Sequence, residues 1–295
     1  MGKNTVFTGA GVAIITPFSD GKIDFDALGE IIEFQIANKT DAIIICGTTG
    51  ESSTMTDDEH IDTIAYCVKK VNKRVPVIAG TGSNDTAYCV FLSKEAEKVG
   101  ADALLISTPY YNKASQKGLA LHFKTVADAV NIPIILYNIP GRTGMGISIE
   151  CLKDVAKHPN IVGLKEASGD ISYLVKAVAE AGDDIDFYSG NDDMIVPVMS
   201  LGGKGVISVL SNVMPKETHE MVQTYLDGDV EKSRKMQIEL LDLINALFIE
   251  VNPIPVKTAM NLMGFKAGDL RMPLCDMLES NLEKLKTAMK NHNLI

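Results

Sequence analysis

Short runs of consecutive apolar, largely β-branched residues recur along the chain: GVAIIT (11–16), AIIIC (42–46), VPVIAG (75–80), ADALLIS (101–107), IPIILY (132–137), IVGLK (161–165), IDFYSG (185–190) and KGVISV (204–209). Most are near-continuous in hydrophobicity instead of alternating, as in strands buried on both faces of a parallel sheet. Between them lie segments of helical period with start signals. Asp24 opens one, Thr56 with Glu59 three residues on forms the pattern of a capping box, and Asn84-Asp85-Thr86 opens another. Lysines gather in the last turns, and Gly100 follows one of them. Strand then helix, repeated eight times, predicts an α/β protein, and a closed (β/α)8 TIM barrel accommodates eight such strands. A doubly wound open sheet is the alternative. The only Gly-rich candidate for a dinucleotide loop, GTGSN (80–84), lacks the GxGxxG frame and reads as a strand-to-helix turn.

After about Met214-Pro215 the strand pattern stops. VEKSRKMQIELLDLINALFIEV, IPVKTAMNLMGF and MLESNLEKLKTAMKNH read as helices punctuated by Pro253, Pro255 and Pro273. The predicted organisation is a barrel over residues 1–225 and a C-terminal α-helical domain over 226–295, packed on the barrel or on another subunit.

Composition narrows the class. The 295 residues, 46% hydrophobic and 22% charged, suffice for a barrel-sized core. A net charge of −10 argues against nucleic acid or an anionic membrane as partner. Five scattered cysteines without a CxxC pair, and five histidines without ligand spacing to them, fit a reducing cytoplasm and neither a disulfide framework nor a zinc site. The first 18 residues contain no long apolar stretch, and no apolar run reaches the roughly 18 residues of a membrane span. A cytoplasmic location is expected.

In barrels of this kind the chemistry sits at the C-terminal strand ends. Those ends carry Cys46-Gly-Thr-Thr-Gly-Glu51, Thr108-Pro-Tyr-Tyr-Asn112, Tyr137-Asn-Ile-Pro-Gly-Arg-Thr143, Lys165-Glu-Ala-Ser168, Ser189-Gly-Asn-Asp192, and Ser208 with Ser211-Asn212. Each has a plain reading. Lys165 can snorkel or pair with Glu166, Thr48 and Thr49 can be turn residues, Tyr110 and Tyr111 core or interface aromatics, Arg142 a surface ion-pair partner, and Ser189 to Asp192 a turn. In the barrel they converge on one rim: an amine, hydroxyls, a guanidinium and a turn with free N–H groups. No carboxylate cluster accompanies them, so no divalent metal is implied. The set suits a lysine that forms an imine with a ketone. The imine gives an enamine, and the enamine carbon attacks an aldehyde while hydroxyls relay protons. Burial in an apolar barrel would keep the amine partly neutral, as this chemistry needs.

These motifs resemble one family. GTTGESSTMTDDEH (47–60), STPYYNKASQKGLALHF (107–123), YNIPGRTG (137–144), GLKEASGD (163–170), YSGNDD (188–193) and FIEVNPIPVKTAMNLMG (248–264) are similar to dihydrodipicolinate synthases, class I aldolase-type enzymes of lysine biosynthesis. The resemblance runs in register over essentially the whole chain. It implies condensation of pyruvate with L-aspartate 4-semialdehyde to 4-hydroxy-tetrahydrodipicolinate, with no cofactor beyond a covalent pyruvate imine on Lys165. Carried over position by position, Tyr137 matches the proton-relay tyrosine and Thr48 the hydroxyl linking two tyrosines. Tyr111 matches the tyrosine inserted by a neighbouring subunit. Thr49, with the backbone of Thr48, matches the pyruvate carboxylate cradle, Arg142 the grip on the second substrate's carboxylate, and Gly190 and Ile207 the pocket lining. The resemblance also implies a homotetramer built as a dimer of dimers. Siblings sharing the lysine, the tyrosine and the GTTGE-like turn, N-acetylneuraminate lyase and keto-deoxy sugar-acid aldolases, are the rival reading. A non-catalytic keto-acid-binding barrel is a rival of another class. The sequence departs from the pattern at the interface pocket where many bacterial members bind lysine. A histidine and a glutamate of that pocket are replaced by Asp57 and Tyr88, while Ser52, His60, Asn84 and Tyr110 remain. Weak or absent inhibition by lysine is expected.

Overall fold

The computed structural model describes residues 3–295. Eight parallel strands close into a barrel: β1 (Gly9–Ala13), β2 (Ala42–Ile45), β3 (Val77–Gly80), β4 (Ala103–Ser107), β5 (Ile134–Asn138), β6 (Ile161–Glu166), β7 (Asp186–Ser189) and β8 (Gly205–Ser208). Each pairs with its sequence neighbours, and β1 pairs with β8 to close the ring. The open-sheet alternative is thereby set aside. All eight predicted runs are strands. The first lies two to three residues earlier than its apolar run, because Ile14, Ile15 and Thr16 are fully buried in the loop beyond the sheet.

Alternation along the strands builds two cores. Ala13, Ala42, Ile44, Ile78, Ala103, Leu105, Ile135, Tyr137, Tyr188 and Ile207 form a cluster with Phe7 inside the barrel, while their strand neighbours pack outward against the helices. Phe7 stacks on Tyr188 with ring centroids 4.5 Å apart, and the Tyr188 hydroxyl donates to the Phe7 carbonyl at 2.7 Å. Gly11 leaves the space this plug needs, since a Cβ there would lie 2.9 Å from the Phe7 ring.

The helices start where their caps dictate. Side chains of Asp24, Thr56, Asp85, Ser115, Ser148 and Asp170 each accept from a backbone N–H of the first turn, and Thr56 with Glu59 closes a full capping box. Past Pro215–Leu226 the chain is helical: Val230–Glu239, Leu241–Leu247, Ile254–Leu262 and Glu279–Asn291. The run VEKSRKMQIELLDLINALFIEV, read as one helix, divides at Leu240. Among the described residues no helix is long and apolar enough to cross a membrane.

Candidate active site

Register brings the central pair together. Tyr137 on β5 and Lys165 on β6 are direct partners, and Lys165 is in turn opposite Tyr188 on β7. Lys165 therefore points into the barrel, its ammonium nitrogen 4.2 Å from the centroid of the Tyr137 ring. It is 5% exposed and surrounded by the apolar interior cluster. Glu166, one residue on, faces the other way. Its carboxylate accepts from Asn138 Nδ2 at 2.6 Å and from the Ser168 N–H at 2.6 Å. The pairing of Lys165 with Glu166 is excluded by this alternation, and among the described residues Lys165 has no ion-pair partner.

Burial brings the Lys165 amine down to about 7. Arg142 pushes the same way, and Asp192 opposes both. Near pH 7 a substantial share of the amine is then neutral, against well under about one molecule in a thousand for a solvated lysine. The Tyr137 phenol, also fully buried, is pushed well above its usual range by burial. The residues beside them complete the mouth. Gly190 follows β7 and donates its N–H to the Glu166 carbonyl at 2.7 Å. A Cβ on Gly190 would lie 2.6 Å from the Ala167 Cβ and 3.1 Å from the Lys165 Cε, so a side chain there would force Ala167 aside and crowd the lysine. Ile207, opposite Gly11, lies in the interior cluster with Tyr137 and Tyr188. On the rim, Thr49 is buried and Thr48 exposed in the turn after β2. Arg142 is exposed on the short helix Pro140–Thr143 after β5.

Two of the predicted site residues stay apart within the single chain. Tyr111 is 92% exposed at a φ of +67°. The Thr48 hydroxyl has no hydrogen-bond partner among the described residues, so no link between two tyrosines is made inside one subunit. The interface positions form a separate group. The Tyr88 hydroxyl donates to Asp57 Oδ1 at 2.5 Å, and His60 Nε2 is 2.9 Å from the Gly80 carbonyl. Ser52 Oγ reaches the Gly47 carbonyl at 3.4 Å, the Asn84 carbonyl accepts from Asn112 at 2.9 Å, and Tyr110 is 41% exposed.

Three residues at or beneath the mouth were given no role of their own from sequence. Asp192 is buried. One carboxylate oxygen accepts from the Val209 and Leu210 N–H groups at 3.0 and 2.9 Å, and the other has no partner. Burial raises its carboxyl above the usual range, against the pull of the Ser208 hydroxyl, these two N–H groups and Lys165. In the sequence Asp192 reads as turn chemistry. Asn252 and Glu51 carry no local signal: their partners lie about 200 residues away in the chain.

A closed (β/α)8 barrel with a buried lysine amine of lowered basicity at its C-terminal mouth is the arrangement of class I aldolase-type lyases. Residues 6–292 match the dihydrodipicolinate synthetase family, and the chain belongs to it. It is 59% identical over 293 residues to the 4-hydroxy-tetrahydrodipicolinate synthase of Acetivibrio thermocellus, covering 99% of this chain and 100% of that one. The solved dihydrodipicolinate synthase of Aquifex aeolicus superposes with a TM-score of 0.96 at 47% identity, over 98% of this chain and 99% of that one. The enzyme of Cyanidioschyzon merolae, solved with lysine bound, gives a TM-score of 0.96 at 37% identity, over 99% and 100%.

Proposed function

We propose that this chain is the enzyme that condenses pyruvate with L-aspartate 4-semialdehyde to 4-hydroxy-tetrahydrodipicolinate, through an imine on Lys165 and with no other cofactor. The observation that carries it is the amine of Lys165, buried against Tyr137 and brought down to about 7. The neutral amine attacks the pyruvate ketone carbon, and water leaves to give the protonated imine. Loss of a methyl proton gives the enamine. Its carbon attacks the semialdehyde's aldehyde carbon, whose oxygen becomes the new hydroxyl. The semialdehyde's own amine then displaces Lys165 from the imine carbon, closing the ring and freeing the lysine. Thr49 and the Thr48 backbone hold the pyruvate carboxylate, and Arg142 grips the second carboxylate at the rim. Gly190 and Ile207 shape the floor. Tyr137, with its raised phenol, stays protonated and passes protons with Thr48.

The protons leave the site through Tyr111 of a neighbouring subunit in a homotetramer built from paired dimers. An almost fully exposed tyrosine with positive φ supports this role, since that conformation is uncommon for a bulky residue and marks a constrained position. Phe91 and Tyr110 are exposed as well.

Incubation with pyruvate followed by borohydride reduction should leave a reduced adduct on Lys165, located by peptide mass spectrometry. Addition of aspartate semialdehyde should then consume pyruvate. Cleavage of a sugar acid without semialdehyde turnover would move the chain to a sibling activity, and absence of an adduct on folded protein would refute the mechanism.

The same enzyme is insensitive to lysine. Tyr88 and Asp57, which stand where the family's lysine pocket has a glutamate and a histidine, are bonded to each other. The phenol donates its only proton to the carboxylate, and burial, together with this carboxylate, pushes it up to about 12. The glutamate that would pair the ligand's ammonium is gone, and Asp57, an acceptor only, cannot donate to the ligand's carboxylate as a histidine can. Millimolar lysine in an initial-rate assay is expected to leave the rate unchanged; strong inhibition would contradict this reading.

A further inference from the structure

We infer that Asn252, from the C-terminal segment, is a positioning residue that sets the hydrogen-bond polarity of the pyruvate carboxylate cradle while its backbone anchors Arg142. The inference rests on the role proposed for Thr49. Asn252 is 6% exposed and immediately precedes Pro253 at the head of the helix Ile254–Leu262. Its Nδ2 donates to Thr49 Oγ1 at 3.0 Å, and its backbone carbonyl accepts from Arg142 Nη2 at 2.9 Å. One residue thus touches both carboxylate subsites by two different groups.

The direction of the first bond is what matters. A threonine hydroxyl has one proton to give and two lone pairs to offer. By donating into Thr49 Oγ1, Asn252 occupies a lone pair and leaves the proton uncommitted. Among the described residues Thr49 Oγ1 donates to nothing, so that proton is free for a carboxylate oxygen. An acceptor in the place of Nδ2 would take the proton and turn the hydroxyl's lone pairs toward the substrate, which a carboxylate rejects. The other side-chain atom, Oδ1, is buried with no protein partner. Native structures seldom leave a buried acceptor unmatched for packing alone, and such an atom is a mark of a site held for function.

The arrangement separates into two readouts. Side-chain variants of Asn252 lose or invert the bond to Thr49 but keep the carbonyl that holds Arg142. Asn252→Asp preserves shape and reverses polarity, and Asn252→Ala removes the donor without adding charge. The half-saturating pyruvate concentration for borohydride trapping on Lys165 should rise about 10-fold or more for Asn252→Asp and about 3- to 10-fold for Asn252→Ala. Maximal trapping at saturating pyruvate and the KM for aspartate semialdehyde should stay within about 2-fold of the parent. In a Thr49→Val background, where no hydroxyl remains to orient, Asn252→Ala should add less than about 2-fold. Unchanged pyruvate half-saturation in Asn252→Ala, with Thr49→Val strongly impaired, would overturn the inference and leave the proposed site intact. Unchanged half-saturation in Thr49→Val itself would instead remove the cradle reading on which it rests. A variant with reduced maximal trapping and a matching loss of folded protein would assign Asn252 to packing alone, also against the inference.

Discussion

Replacing Lys165 by methionine is expected to abolish activity and stabilise the protein in the same substitution. The loss should exceed about 10^3-fold in kcat, because the residue is the covalent nucleophile and nothing else in the mouth can form the imine. Borohydride reduction after pyruvate should leave no adduct. The gain in stability follows from the sign of the pKa change. Burial holds the folded-state amine at about 7, below its unfolded value, so the unfolded chain binds more protons between the two. Folding near pH 7 must bury an amine that is still partly charged, and the penalty is largest below pH 7 and disappears as pH rises toward the unfolded value. Methionine removes it, for a gain on the order of a few kcal/mol near neutral pH that shrinks in alkali. A lysine kept for an ion pair would behave oppositely, and its removal would destabilise. In the parent protein the rate of imine formation should fall as pH drops through about 7, since only the neutral amine attacks. Activity surviving in the methionine variant, or a lowered unfolding midpoint, would refute the assignment.

Why some of this was legible in the sequence and some was not follows from the range of the interactions. Strands buried on both faces announce themselves as apolar runs, and helix starts announce themselves through caps within three residues, as at Thr56 and Glu59. Lys165 stands out because an ammonium ends an apolar run, but that it faces inward and Glu166 outward is fixed by the strand register of the closed barrel. Element limits were less legible. Ile14 and Ile15 look like strand because they are buried, yet they lie beyond the last β1 ladder residue. No glycine or proline marks the break at Leu240. The polar partners beneath the mouth were not legible at all. Asp192 looks like a turn former until its carboxylate is seen under the Val209 and Leu210 N–H groups. Asn252 touches Thr49 only because the C-terminal helices fold back over the rim.

Lys257→Met is the substitution expected to cost most stability. Glu51 follows the GTTG turn at a φ of +55°, and its side chain is turned inward under the rim. One oxygen accepts from Lys257 Nζ at 2.7 Å and the other from the Arg271 N–H at 3.0 Å, with both Glu51 and Lys257 side chains 1% exposed. The Phe18 ring lies under both cations, with the Lys257 ammonium and the Arg271 guanidinium each 4.2 Å from its centroid. Arg271 in turn makes a two-pronged contact with Glu59, at 2.7 and 2.6 Å, and the same Glu59 carboxylate accepts from the Thr56 N–H in the capping box of the following helix. The C-terminal segment therefore grips residues 49 to 59 at three points, Asn252, Lys257 and Arg271, and so fixes the turn that carries Thr48 and Thr49. Burial lowers the Lys257 ammonium's pKa even against the pull of Glu51, so desolvation outweighs the attraction and the intact pair adds little net stability. Removing one partner is a different matter, because it strands a buried carboxylate. The single variant should lose about 3–5 kcal/mol, measured as an earlier urea transition. Neutralising the stranded group in Glu51→Gln/Lys257→Met should recover more than half of that loss. The double variant should still bind pyruvate poorly, because the turn bearing Thr49 has lost the contact that orders it. A loss below about 1 kcal/mol in Lys257→Met would mean that Glu51 finds water or another donor there, and that the turn is held from the barrel side instead.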